Sequence, residues 1–193
     1  EYLFTGTEGS SFNVSKSSIE GAEEGIYGEL EELIFWALGM QKFEQQKYQE
    51  AITLFQRIGS LGQNNNNAVD LILTQCYKNT DLYDDALAHF GRLVEKNPNI
   101  PDPYSDRGVI YTKQQKYKEA LVEFNKALEL NSTFIDAYLN RGSLFISMEQ
   151  NEQALEDFNK AISFNPAYAP SFYFRGLLFT SLERTEEALD DFG

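Results

Sequence analysis

Cysteine and histidine are almost absent from this 193-residue chain, which has one of each, Cys76 and His89. A lone cysteine cannot form an internal disulfide, and it cannot build a thiolate zinc site. The chain also has only five prolines and no run of about 20 apolar residues, the length that a bilayer-spanning helix requires. These shortages argue against a disulfide scaffold, a cysteine-based metal site and a membrane-spanning helix.

Positive charge is also scarce, because 16 lysines and arginines face 30 aspartates and glutamates, for a net charge of -14. Such an acidic chain repels a phosphate backbone, so we expect no nucleic-acid partner. Cys76 and His89 are the only candidates for a nucleophile and a base, and we expect Cys76 to be an inert, packed thiol. No glycine-rich phosphate loop is present. The sequence therefore predicts no enzyme activity, no metal and no cofactor.

Internal repetition is the strongest feature that the sequence does contain. The pair Arg-Gly occurs at residues 107–108, 141–142 and 175–176, always 34 residues apart. The same step relates a series of alanines and a series of phenylalanines, and a 35-residue step adds one earlier member to each. The two series are Ala51, Ala86, Ala120, Ala154 and Ala188, and Phe55, Phe90, Phe124, Phe158 and Phe192.

Within one repeat the apolar residues have helical spacing. Between Tyr117 and Leu128 they recur at steps of three and four, and the segment 104–111 has the same character. Two helices of three to four turns, with two short turns, account for 34 residues. We expect Gly108 and Ala120 to face each other, since a large side chain there would force the helices apart. One hairpin cannot bury both of its faces, so stability should come from stacking neighbours.

This pattern resembles the tetratricopeptide repeat family, whose small residue at position eight matches Gly39, Gly108, Gly142 and Gly176. The alanine at position 20 and the aromatic residue at position 24 match the two series given above. The resemblance covers residues 32–193 and implies an all-α fold, an α-solenoid of stacked antiparallel helix-turn-helix hairpins in a right-handed superhelix of about 4.5–5 repeats. The expected repeats are about 32–66, 67–100, 101–134, 135–168 and a truncated 169–193. Thr74 departs from the glycine pattern, and an asparagine-rich insertion around 59–67 should form a surface loop.

Residues 1–31 precede the repeats and carry much of the acidic charge. We expect a flexible extension that becomes partly helical from about residue 19. Its glutamates are consistent with a solvated cap over the first repeat, because terminal repeats need a polar outer face. The alternative is an acidic arm that engages a basic partner or occupies a groove.

The arginines at position seven of three repeats co-occur with an acid at position 23. The pairs are Arg107 with Glu123, Arg141 with Asp157, and Arg175 with Asp191. In the other repeats neither position carries such a charge. We therefore predict ion pairs inside each hairpin, and we do not expect these arginines to contact a ligand.

The resemblance also implies where a partner binds, because first helices of such repeats line a concave channel that holds a peptide. The positions that face this channel give a mixed surface with aromatic ends and an acidic-to-neutral middle. The candidate binding residues are Trp36, Met40, Phe43, Gln75, Asn79, Asp106, Lys113, Asp136, Asn140, Tyr173 and Phe174.

The sequence thus predicts a non-enzymatic scaffold for a protein or peptide segment of neutral to basic character. Of the residues with which family members clamp a chaperone's terminal carboxylate, only Asn140 is present, so that partner is not expected. Two alternatives stay open. The chain can be the regulatory or targeting arm of a larger enzyme or assembly that continues beyond Gly193, or it can self-associate through its terminal repeats. The compartment is not indicated, with the cytoplasm only slightly favoured.

Overall fold

The computed structural model describes the backbone of residues 2–5, 11–14, 16–60 and 67–193. It divides into two compact units, Glu1–Thr80 and Asp81–Gly193. Both units are built mainly from helices joined by short turns, as the repeat pattern predicts. Among the described helices, none has the length and apolar content needed to cross a membrane. The asparagine-rich segment 61–66, for which we expected a surface loop, lies outside the described residues.

The described residues of the first unit form two short strands and three helices. Strands β1 (Tyr2–Thr5) and β2 (Ser11–Val14) pair antiparallel, with Tyr2 opposite Val14. Helices α1 (Lys16–Glu44), α2 (Tyr48–Ser60) and α3 (Asn67–Lys78) follow, and α2 packs against both α1 and α3.

The amino-terminal region, expected as a flexible extension, contains two strands and the start of a long helix. Its strands consist largely of aromatic and β-branched residues, which favour extended structure. Each strand has only four residues, too few for an alternating apolar pattern to be recognised in the sequence. The following helix begins at Lys16 instead of near residue 19, and it continues without a break into the first helix of repeat one. No proline interrupts residues 16–44, so nothing in the sequence ends a helix at residue 31.

The second unit is a regular series of antiparallel helical hairpins. Each helix packs against the next one along the chain, and the first helices also lie side by side, α5 against α7 and α7 against α9. The helices are α4 (Tyr83–Lys96), α5 (Asp102–Lys113), α6 (Tyr117–Leu130), α7 (Ile135–Ser147), α8 (Asn151–Phe164), α9 (Ala169–Ser181) and α10 (Thr185–Phe192).

The turn inside most hairpins has one shared geometry. One residue adopts a left-handed backbone conformation, with φ between 58° and 60°, at Gln46, Gln115, Glu149 and Glu183. At Gln115 the backbone N–H donates to the carbonyl of Thr112, and the N–H of Lys116 donates to the carbonyl of Tyr111, both at 2.9 Å. This pair of bonds satisfies the last carbonyls of the helix and turns the chain back on itself. The left-handed residue is never glycine, so each turn retains some backbone strain.

Repeated alanines and phenylalanines form a central part of the core. Ala51, Ala86, Ala120 and Ala154 are fully buried, and so are Phe55, Phe90, Phe124 and Phe158. The atoms nearest to a Cβ at Gly108 belong to Phe124 and not, as expected, to Ala120. A Cβ at Gly108 would lie 2.6 Å from the Phe124 ring, and glycines 39, 142 and 176 face the phenylalanines of their own hairpins in the same way. The small residue at position eight therefore makes room for the aromatic ring at position 24.

Candidate functional site

In the second unit, the candidate binding residues lie on three neighbouring helices. We call the side-by-side helices α5, α7 and α9 the first-helix face; α5 contacts α7, and α7 contacts α9. Three repeats thus present corresponding positions on neighbouring helices. The predicted residues on this face are Asp106, Lys113, Asp136, Asn140, Tyr173 and Phe174.

Asn140 lies at the junction of two repeats. Its Nδ2 atom donates a hydrogen bond to Oγ of Ser105 at 3.3 Å, which ties α7 to α5. Ser105 is buried, and Asn140 is half-buried. Because the amide N–H is directed into the scaffold, the side-chain oxygen of Asn140 is the group suited to accept a bond from a peptide N–H. Asp106, next to Ser105, is only 9% exposed, so it offers a partner little surface.

An aromatic cluster occupies the α9 end of the first-helix face. The Phe174 ring stacks on Phe158 of the preceding repeat, with ring centroids 6.1 Å apart. Tyr173 lies edge-on to Phe174 at 6.0 Å and is 55% exposed. Phe174 is thus committed largely to packing between repeats, whereas Tyr173 presents most of its ring to solvent. A partner would contact Tyr173 first.

Carboxylates give the middle of the face a negative character. Asp102 and Asp136 are both exposed. The hydroxyl of Tyr168 donates to Oδ1 of Asp136 at 3.5 Å, and the charge of Asp136 raises the pKa of Tyr168. Lys113, at the carboxyl end of α5, is exposed and supplies a cation there. The face can therefore attract positive groups without being uniformly acidic.

In the first unit, the candidate residues divide between packing and exposure. Trp36 lies edge-on to the buried Phe55 ring at 5.4 Å, and Phe43 lies edge-on to Tyr48 at 5.7 Å. Met40 is half-buried in the same helix. Gln75 and Asn79 of α3 are exposed, and Nδ2 of Asn79 donates to the backbone carbonyl of Gln75 at 2.8 Å.

Trp36 also borders a surface cleft of about 460 Å³ in the first unit. Of the described residues that line it, four follow one face of α1 and one belongs to the start of α3. They are Glu29, Glu32, Leu33, Trp36 and Ala68. Leu33 is 65% exposed, an unusual fraction for a leucine beside an aromatic wall. The cleft thus combines an apolar floor with two carboxylates.

The three arginines at position seven form the ion pairs that the sequence predicts. Nη2 of Arg107 lies 2.8 Å from Oε1 of Glu123. Arg141 grips Asp157 with two parallel bonds, Nε to Oδ2 and Nη2 to Oδ1, each 2.8 Å long. Arg175 holds Asp191 in the same two-pronged way at 2.8 and 2.5 Å. These guanidinium groups are occupied by the scaffold.

Two of the arginines also connect neighbouring repeats. Nη1 of Arg141 donates to Oδ1 of Asn125 at 2.5 Å, and Nη1 of Arg175 donates to Oδ1 of Asn159 at 2.6 Å. Burial alone would lower the pKa of Arg141, but its hydrogen bond and charge interaction with Asp157 raise it above the usual value. The repeat before Arg107 has Gly91 at the place of these asparagines. The network therefore couples the last three repeats more closely than it couples the repeat before them.

Neither candidate for nucleophilic or base chemistry lies open to solvent. Cys76 is fully buried, and burial raises the pKa of its thiol to about 11, so the reactive thiolate is suppressed. His89 is 1% exposed, with its ring edge-on to Phe90 at 5.4 Å. Across the part of the chain that the structure describes, no three His, Cys, Asp or Glu residues are grouped so as to hold a metal ion.

Two features of this surface were not predicted from the sequence. The asparagines at position 25 were detectable, since Asn125 and Asn159 each precede a repeat that carries the arginine, and the other repeats have Gln56, Gly91 or Gly193 there. The cleft beside Trp36 was harder to find because it extends across residue 32, where the repeat resemblance begins. Helical spacing from Glu29 to Trp36 was the available signal.

Comparisons with known proteins agree with this architecture. Tetratricopeptide repeat families match residues 68–99, 108–148 and 135–168. A comparison with curated proteins returned no match.

Solved structures resemble the chain in fold. MamA from Desulfovibrio magneticus RS-1 aligns with a TM-score of 0.63 and 17% identity, over 84% of this chain and 91% of that one. A thermophilic repeat protein from Thermus thermophilus aligns at 0.66 and 21%, over 83% and 87%. A repeat protein from Parabacteroides merdae ATCC 43184 aligns at 0.69 and 24%, over 83% and 62%.

At these identities the solved structures establish the shared fold, while the family matches identify the repeats themselves. Tetratricopeptide repeats stack into arrays whose surfaces serve protein–protein interaction. The chain is a tetratricopeptide repeat protein over residues 68–99 and 108–168 and is, in that general sense, a protein-interaction scaffold.

Proposed function

We propose that this protein is a non-enzymatic scaffold that binds a peptide segment of a partner protein along the first-helix face. The segment would be neutral to basic and extended or helical. The observation that carries the proposal is the side-by-side placement of α5, α7 and α9, which gives three repeats one continuous surface. Repeat arrays use such extended surfaces to bind partners.

Two residues on this face would make different kinds of contact with the peptide. Tyr173 supplies an exposed aromatic anchor, and aromatic residues dominate the energetics of many interfaces. Asn140 is held in place by Ser105, so its amide meets a peptide backbone with little loss of side-chain entropy. The segment would thus bind through one anchor and backbone hydrogen bonds.

Charge selects the partner. Asp102 and Asp136 are exposed on the first-helix face, whereas Arg107, Arg141 and Arg175 are all engaged with acids of their own hairpins. An acidic segment would meet repulsion there, and a basic one would be attracted. This is the physical reason for expecting a neutral to basic partner.

Peptides selected from a random library against the intact protein test the proposal. We expect the double variant Asn140→Ala with Tyr173→Ala to weaken the binding of selected peptides at least about tenfold, as measured by fluorescence polarisation. Val122→Ala with Gln153→Ala is the matched control, since it removes an exposed apolar residue and an amide from second helices. Equal affinity of the Asn140/Tyr173 variant and the wild type would refute binding on this face.

A further inference from the structure

The cleft beside Trp36 has the chemistry of a receptor for a positively charged side chain. We propose that it binds an arginine or lysine side chain of the partner segment, as a distinct subsite in the first unit. This inference rests on the proposed function, because it assumes that the ligand is a peptide. It adds to that function by naming a pocket and the residue type that the pocket takes.

Trp36 gives the cleft an aromatic wall. Trp36 is fixed from behind by its edge-on contact with the buried Phe55, and it is only half-buried. Tryptophan is the side chain that attracts a cation most strongly through its ring face. Leu33 and Ala68 extend the apolar surface on either side, and both are exposed. The methylene groups of a lysine or arginine would lie against this floor.

Glu29 and Glu32 give the cleft two carboxylates. Glu29, Glu32, Leu33 and Trp36 are separated by three, one and three residues, so all four lie on the same side of α1. A positive group near the indole would therefore meet two glutamates on the same helix face. Arginine fits especially well, because its planar guanidinium can stack on a ring while it donates to a carboxylate.

Two cations of this hairpin, Lys42 and Arg57, lie beside glutamates that do not line the cleft. Nζ of Lys42 lies 2.6 Å from Glu50, and Nη2 of Arg57 lies 4.0 Å from Glu31. The segment 28–44 has four glutamates and one lysine, so its field favours an incoming positive charge. Other occupants fit less well. Two carboxylates give a metal ion too few ligands, and a second copy of this chain, with a net charge of -14, would be repelled.

Trp36 is the only tryptophan in the chain, so its fluorescence reports directly on the cleft. The probe is a short acetylated and amidated peptide of alanine with one central arginine, compared with the same peptide carrying citrulline, the neutral analogue of arginine. We expect the arginine peptide to shift Trp36 emission and to bind about fivefold to tenfold more tightly than the citrulline peptide. Equal binding of the two peptides, or no effect of the arginine peptide on Trp36, would overturn the proposal.

Charge variants separate the cleft from the general acidity of the helix. In Glu29→Gln with Glu32→Gln the preference for arginine over citrulline should disappear. Glu31→Gln with Glu44→Gln removes the same charge from α1 outside the cleft, and there the preference should persist. If both double variants lose it equally, the attraction is unspecific and the subsite does not exist. Circular dichroism should show that each variant is folded, because all four glutamates are at least partly exposed and their replacement disturbs no core contact.

The test distinguishes the subsite from the proposed function. If the library peptides lose affinity on change of Asn140 and Tyr173 but their binding ignores Glu29 and Glu32, the first-helix face stands and the subsite fails. If the arginine peptide binds at Trp36 while the library peptides ignore Asn140 and Tyr173, the subsite stands and the proposed face fails.

Discussion

Two glycines in helices should respond differently to the same substitution. A Cβ at Gly142 would lie 2.5 Å from Cε1 of Phe158 and 2.9 Å from two more ring atoms, whereas a Cβ at Gly91 would meet nothing within 4 Å. Carbon atoms prefer a separation of about 3.5–4.0 Å, so Gly142→Ala requires a shift of about 1 Å. The Phe158 ring cannot withdraw easily, because it is fully buried and stacked against Phe174.

The magnitudes follow from two opposing effects. Alanine stabilises a helix interior by about 1 kcal/mol relative to glycine, and this gain applies at both positions. Overpacking at position 142 costs about 1–3 kcal/mol. Gly91→Ala should therefore raise the free energy of unfolding by about 1 kcal/mol. The free energy of unfolding of Gly142→Ala should be about 1–3 kcal/mol lower than that of Gly91→Ala, because the gain in helix propensity is the same in both variants.

Urea denaturation followed by far-ultraviolet circular dichroism measures both variants. Adding Phe158→Leu provides a further check, because a smaller side chain should reduce the cost of the alanine at position 142 by about 1 kcal/mol. If Gly142→Ala stabilises the protein as much as Gly91→Ala does, the close packing of glycine against phenylalanine is not what defines the hairpin.

Three more substitutions or reactions test other features of the structure. The Ser171 hydroxyl is buried without a hydrogen-bond partner among the described residues, so Ser171→Ala should stabilise the protein by about 1 kcal/mol in urea denaturation, and a loss of stability would contradict this. Burial raises the pKa of Cys76 to about 11. Labelling of this thiol by Ellman's reagent at pH 8 should therefore be about 100-fold slower in the native protein than in concentrated urea. Equal labelling rates would show that the thiol is accessible in the native protein. Glu149→Gly should stabilise the protein by about 0.5–1 kcal/mol, because residue 149 has a φ of 59°. Gln153→Gly within α8 should destabilise the protein. A change of melting temperature in the same direction for both variants would refute strain in the turn.

The hairpins could be predicted because their packing recurs in the sequence. Every repeat needs alanine at position 20 and an aromatic ring at position 24, so the 34-residue step is visible without a structure. The contact of Gly108 could not be assigned by the same argument. Spacing along the chain identifies which faces meet, but it does not say that the ring of Phe124, and not Ala120, fills the space beside the glycine.

The candidate binding surface was predicted less completely than the fold. Repeat register placed Asn140 and Tyr173 on first helices, but it could not show that Asp106 is nearly buried, since burial depends on the neighbouring repeat. The arginine pairs were predictable because both charges vary together between repeats. The cleft beside Trp36 was not, because Glu29 lies in the part of α1 that precedes the repeat pattern.

Crosslinking from defined positions tests the central claim most directly. A photoreactive p-benzoylphenylalanine replaces Tyr173 on the first-helix face or, as the control, the 66% exposed Val122 on α6, and a library-selected peptide is added before illumination. Mass spectrometry should find the peptide attached at position 173 and not at position 122. Attachment at position 122 alone would place the partner on the second helices and contradict the account.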